Sequence, residues 1–193
     1  MAVVSGGQNI CGVSIGVLSL ESYFPKPPGH IKNPSSLPFT TSYEIISGLT
    51  IPVLLNTPSP DMIAPLIEAA QRLEKSGVKA ITGSCGFLAL FQNEIARAVT
   101  VPVFVSSLIQ ADFIHRMTGR PVGVVTASAD LLTPRHLAAV GAENTPLVIE
   151  GMQDGAEFAD VILQNDRTDM DPDKIEAELL EAGERLGARA PEG

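Results

Sequence analysis

Five short runs of apolar, mostly β-branched residues punctuate the chain, at 13–20, 78–82, 101–105, 122–126 and 147–149. Between them lie segments with helical spacing or clusters of turn residues. That alternation predicts βαβ units and therefore a parallel sheet. Within each run the hydrophobicity is continuous rather than alternating, as expected of strands covered on both faces in a doubly wound α/β architecture.

The helices are predicted from their ends. Ser59, Pro60 and Asp61 supply a cap and first turn, Leu66, Ile67, Ala70 and Leu73 mark an apolar stripe, and Gly77 closes the segment. Pro65 implies that the regular part starts late. Thr133 and Pro134 open a second helix that Gly141 ends, and Asp171 and Pro172 open an acidic amphipathic one over 173–186. The stretch 21–42 breaks the rhythm with Pro25, Pro27, Pro28, Gly29, Asn33, Pro34 and Pro38. This density excludes a regular helix or inner strand and predicts a long ordered loop. Because it follows the first strand, it is expected at the carboxyl edge of the sheet, where it either covers a ligand or merely connects. After Leu186 only GARAPEG remains, where the rhythm calls for another strand, so the second half of the sheet is expected to be incomplete.

Composition narrows the function. With 193 residues, 45% of them hydrophobic, the chain can bury a core as one or two domains. Its 22 acidic and 13 basic residues give a net charge of −9 with no Lys/Arg cluster, which argues against nucleic acid as a partner. No stretch reaches the length of a membrane span and the N-terminus lacks a signal pattern, so a cytoplasmic protein is expected. Cys11 and Cys85 have no metal or disulfide spacing. His30, His115 and His136 have no metal spacing either and read as structural or solvent-facing. The acidic stretch 166–184 reads as a solvated helix face rather than a metal site.

Cys85 stands apart because it directly follows an apolar strand and precedes a helix-patterned run in which Leu88, Phe91, Ile95 and Val99 share a face. A thiol at a helix N-terminus is favoured as thiolate, with a pKa brought down to roughly 3.5 to 7.5, and Gly83 and Gly86 let backbone approach an anion. On this reading Cys85 should outpace Cys11 toward an alkylating reagent. The competing reading is a small buried hydrophobe filling the strand-to-helix corner.

The segments GVLSLESYFPKPPGH, TGSCGFLALFQ, VPVFVSS and VGVVTASADLLTPRH resemble the aspartate/glutamate racemase superfamily, in particular its bacterial Asp/Glu/hydantoin racemase-like branch, over about 15–149. The resemblance implies two similar doubly wound halves with a cleft between them: 1–105 carrying Cys85, and 106–193, incomplete at its C-terminal end. It implies a small-molecule carboxylate substrate and no metal or organic cofactor, and is compatible with a homo-oligomer. It also implies proton transfer at the carbon α to a carboxylate, with one thiol on each face. Cys85 matches the first thiol, whereas the second position falls after the last residue of this sequence. Ser19, Ser84, Gly86, Phe87, Ser106, Ser107, Thr126 and Ser128 are the candidate substrate-binding positions at strand carboxyl ends, and each Ser or Thr could equally cap its own backbone.

Three readings follow: a cofactor-independent racemase whose second acid/base group lies elsewhere, a single-cysteine decarboxylase of the same superfamily, and a non-catalytic binding protein or fragment. If this chain alone inverts a centre, His30 is the first candidate for the opposite acid.

Overall fold

The computed structural model describes Val3, residues 6–165 and residues 167–189. Strand β1 (Ile15–Glu21) runs through the centre with five consecutive buried residues, as its unbroken apolar run predicts. Beside it lies β2 (Thr41–Thr50), parallel and in register from Ile15 against Thr41 to Leu20 against Ile46. The apolar pattern predicts no strand there, because Ser42, Glu44, Ser47 and Gly48 interrupt it. Most of β2 is only partly covered, as an edge strand can be. A register shift after Leu20 is held by Gly48, whose φ of 76° needs glycine and whose N–H donates to Glu21 Oε2 at 2.7 Å.

The short helix α1 (Ile51–Asn56), capped by Thr50, leads through a 3₁₀ turn at Pro60–Met62 into α2 (Ile63–Lys75). Helix α2 starts late, as Pro65 implied, since the ring is tolerated only in the first turn. Leu66, Ala69, Ala70 and Leu73 bury its inner stripe against β1 and β2. Next come β3 (Ala80–Gly83), a 3₁₀ helix at Gly86–Phe91, α3 (Gln92–Ala98) and β4 (Val103–Phe104). The buried Gln92 amide replaces ladder bonds for this two-residue strand, donating to Val103 O at 2.9 Å and accepting from Val105 N–H at 3.0 Å.

The first sheet thus has four parallel strands in the order β2-β1-β3-β4. Chain direction reverses across it between β1 and β3, which makes their carboxyl ends the topological switch point. A 3₁₀ turn at Ser107–Gln110 and α4 (Ala111–Thr118) lead to a second parallel pair, β5 (Val122–Thr126) and β6 (Leu147–Gly151), with α5 (Pro134–Ala139) between them. The helix α6 (Ala156–Phe158) continues as a π-turn over Ala159–Leu163, and α7 (Pro172–Arg189) lies across β5 and β6. Glu150 anchors α7 by accepting from Arg185 Nε at 2.6 Å and Arg189 at 2.8 Å. The architecture is α/β with parallel sheets, as expected. The head of the acidic stretch, Asp166, and the last four residues lie outside the described residues. No described helix is long and apolar enough to cross a membrane.

Candidate active site

A pocket of about 360 Å³ opens at the switch point, within the usual size range of small-molecule clefts. From the end of β1 come Leu20 and Ser22, and from the end of β3 come Ser84, Cys85 and Gly86. The Pro-rich loop adds Phe24, Pro25, Pro27, His30 and Lys32. Ala127 follows β5, and Phe158, Ile162, Met170 and Ile175 close the wall from the C-terminal part of the chain. The two ends of the switch point are tied together: Leu20 N–H donates to Ser84 Oγ at 3.0 Å, and Ser84 N–H donates to Leu18 O at 2.9 Å.

Gly83 explains how β3 ends so close to its neighbours. A Cβ there would lie 2.6 Å from Val105 O and 2.8 Å from Leu88 Cδ1. The chain then turns at Cys85, in extended conformation (φ −146°, ψ 129°), into the 3₁₀ helix rather than directly into an α-helix. Regular α structure begins only at Gln92, because Phe87, Leu88, Ala89 and Phe91 are all drawn into the core within six residues. The expected dipole at Cys85 is therefore that of a short 3₁₀ turn, and burial outweighs it. The Cys85 thiol is pushed up to about 11 by desolvation, with the Phe87 N–H pulling weakly the other way. This reverses the sequence-based expectation of a thiolate-favouring site: apolar surroundings penalise the anion more than one backbone donor stabilises it. Cys11 is exposed and lies outside the pocket walls.

Of the other positions singled out from the sequence, Ser84 and Gly86 line the pocket with Cys85. Ser19 is fully buried beneath it and donates to Leu20 O at 3.4 Å. Phe87 is buried edge-to-face on His136, ring centroids 5.0 Å apart. Ser106 and Ser128 are buried caps, accepting from Leu108 N–H at 3.3 Å and Leu131 N–H at 3.4 Å. Ser107 faces a separate groove beside β5. The Thr126 carbonyl accepts from Met152 N–H at 2.9 Å and the residue lies outside the pocket wall. Local capping thus occupies the hydroxyls of Ser106 and Ser128, the bland alternative for such residues.

The sequence puts the Pro-rich loop at the carboxyl edge, as ligand cover or connector, but does not single out Phe24 or Lys32, which line the pocket. The loop is ordered by its own bonds: Gly29 N–H to Ser36 Oγ at 2.9 Å, Asn33 Nδ2 to Lys26 O at 2.8 Å, and Tyr43 OH to Ile31 O at 2.8 Å. His30, read as structural or solvent-facing, lines the pocket, and burial with Lys26 and Lys32 nearby depresses it to about 4, leaving it neutral near pH 7. Lysines placed in a proline-rich loop of an acidic chain were the available signal. Among the described residues no cluster of three or more His, Cys, Asp or Glu side chains could hold a metal ion.

No protein-family model matches the chain. It is 32% identical over 167 residues to dimethylsulfoniopropionate lyase 3 of Emiliania huxleyi (strain CCMP1516), covering 82% of this chain and 43% of that protein. It is 30% identical over 132 residues to dimethylsulfoniopropionate lyase of Durusdinium sp. clade D, covering 66% of this chain and 44% of that protein. The chain therefore spans less than half the length of the curated relatives it matches. Unliganded arylmalonate decarboxylase superposes with a TM-score of 0.51 at 15% identity, covering 91% of this chain and 74% of the other. The architecture described above is therefore the fold of arylmalonate decarboxylase, while the relatives found by sequence carry the name of lyases.

Proposed function

We propose that this chain carries the proton-transfer site of a lyase acting on β-sulfonium carboxylates of the dimethylsulfoniopropionate type, with Cys85 as the base. The observation that carries the reading is a single thiol at the switch-point pocket, set among apolar walls. The identity to dimethylsulfoniopropionate lyases over four-fifths of the chain supports it.

The chemistry suits one thiol. The Cys85 thiolate takes a proton from the carbon next to the carboxylate. The C–H electron pair becomes the new carbon–carbon double bond, and the carbon–sulfur pair leaves with neutral dimethyl sulfide. Acrylate remains, and the thiol returns its proton to solvent. Elimination needs a base on one face only, whereas racemisation needs an acid on the other face as well.

A thiol held near 11 is a strong base but is rarely ionised, so the substrate has to assist. A unit positive charge about 5 Å from the sulfur, at an effective dielectric of about 20, is worth about 3 kcal/mol, or roughly two pK units. A sulfonium carboxylate brings that charge against a single carboxylate, whereas an amino dicarboxylate offsets its ammonium with two carboxylates and carries a net negative charge toward the thiolate. This electrostatic difference favours the lyase over the glutamate- or aspartate-type racemase.

A second reading is favoured by the same protonated resting state. A thiol that starts neutral is ready to donate a proton to a carbanion, as loss of carbon dioxide from an arylmalonate would require. The experiment is to incubate the 193-residue chain with dimethylsulfoniopropionate, with phenylmalonate and with aspartate and glutamate, following dimethyl sulfide, carbon dioxide and chirality in parallel. Dimethyl sulfide with acrylate in equal amounts is expected, reduced at least about a hundredfold in Cys85→Ser. Dimethyl sulfide no faster than the Cys85→Ala background would sink the lyase reading. Release of carbon dioxide or inversion instead would move the assignment to the decarboxylase or the racemase.

A further inference from the structure

We infer that the Pro-rich loop carries an anion subsite for the substrate carboxylate, built from the Lys32 ammonium and the His30 ring on the wall of the Cys85 pocket. The inference rests on the pocket being a carboxylate site and adds the residues that hold the carboxylate. They lie outside the strand-end Ser and Thr positions to which the sequence pointed.

Lys32 is half-buried and lines the pocket. Its Nζ donates to Leu20 O at 2.7 Å and to Ser22 Oγ at 2.9 Å. An ammonium has three donors, so one remains for a ligand. Among the described residues no carboxylate lies within ion-pair distance of it. Glu21, whose field Lys32 feels, commits its oxygens to Tyr23 OH and the Gly48 amide, each at 2.7 Å. A half-buried cation without a paired anion is costly, and a bound carboxylate would relieve it.

His30 supplies the second donor. Its Nδ1 accepts the Lys32 backbone N–H at 3.0 Å, which leaves the proton on Nε2 in the neutral ring. The ring is held edge-on against Phe24, centroids 5.8 Å apart. Lys26 reinforces the field from behind: its Nζ lies 3.5 Å above the Phe24 ring centre and bonds to Phe24 O. Burial and Lys32 lower Lys26 to about 8, and both lysines help to keep His30 neutral. In a chain of net charge −9, the Lys32 ammonium on the pocket wall, with Lys26 behind Phe24 and no carboxylate bonded to either among the described residues, forms a local positive site against the overall charge.

Propionate, with propionamide as the uncharged control, tests the subsite by calorimetry on the whole chain. The expected result is binding of propionate at least tenfold tighter than of propionamide, and at least a tenfold loss of propionate affinity in Lys32→Met. In turnover, Lys32→Met should raise KM by a similar factor while kcat changes less than threefold. His30→Phe keeps the edge packing on Phe24 and removes the Nε2–H, and should weaken propionate severalfold, which keeps the test available if Lys32→Met does not fold. Equal binding of the acid and its amide, or wild-type propionate affinity in either folded variant, would overturn the subsite. Charge-dependent binding without dimethyl sulfide release would uphold the subsite and remove only the lyase. Turnover with unaltered KM in folded Lys32→Met would do the reverse.

Discussion

Raising the pH across a half-buried thiol in an apolar pocket separates the two physical forces that act on Cys85. If the helix terminus dominated, the thiolate would already be present at neutral pH and the alkylation rate would be flat above it. Burial instead places the thiol at about 11. The thiolate fraction is then about one in ten thousand at pH 7, rising tenfold per unit through pH 10. The assay is the rate of carboxamidomethylation of each cysteine by iodoacetamide, read by peptide mass spectrometry between pH 6 and 10.5, with exposed Cys11 as the internal control. Cys85 is expected to be the slower of the two at pH 7 and to show unit slope with no plateau below pH 10. The same shift has a consequence for stability. The unfolded thiol ionises first, near 9, and the native one near 11, so the contribution is intact below 9 and is lost as pH rises through 11. Two units amount to roughly 3 kcal/mol, which a Cys85→Ala variant would not lose over that window. A Cys85 rate that levels off below pH 9, or that exceeds the Cys11 rate at pH 7, would refute burial as the governing term.

Two further outcomes concern the frame around the thiol. Gly83→Ala should destabilise the protein by about 1 to 3 kcal/mol in urea unfolding, because its Cβ would meet the Val105 carbonyl at 2.6 Å and backbone cannot yield cheaply; an unchanged midpoint would show that β3 and β4 can separate freely. Ser84→Ala should cost about 1 to 3 kcal/mol by leaving the Leu20 N–H without its acceptor. Ser84→Thr, which keeps the hydroxyl, should recover part of that loss, and equal stability of all three proteins would discount the tie between the two strand ends.

Much of the scaffold was legible in the chain. The apolar runs located β1, β3, β4, β5 and β6; in β1 the unbroken run matches burial on both faces, whereas β5 leaves Val125 exposed and β4 leaves Phe104 exposed, so continuous hydrophobicity marked these strands without full cover. Pro134 with Gly141, and Pro172, marked helix ends because their backbone restrictions act locally. The position of Cys85 after a strand could also be read, since it depends only on neighbours in sequence. Strand β2 could not, as it owes its state to pairing with β1 rather than to its own pattern. The protonation of Cys85 was beyond reach for a similar reason. Its walls include Ala127, Phe158, Ile162, Met170 and Ile175, which reach it only after the chain folds back from its second half. Desolvation sums over whatever surrounds a group in space, whereas a helix terminus is written in the local sequence. The tertiary structure therefore decided the sign of the shift, and it likewise turned Lys32 and His30 from loop residues into parts of the pocket wall.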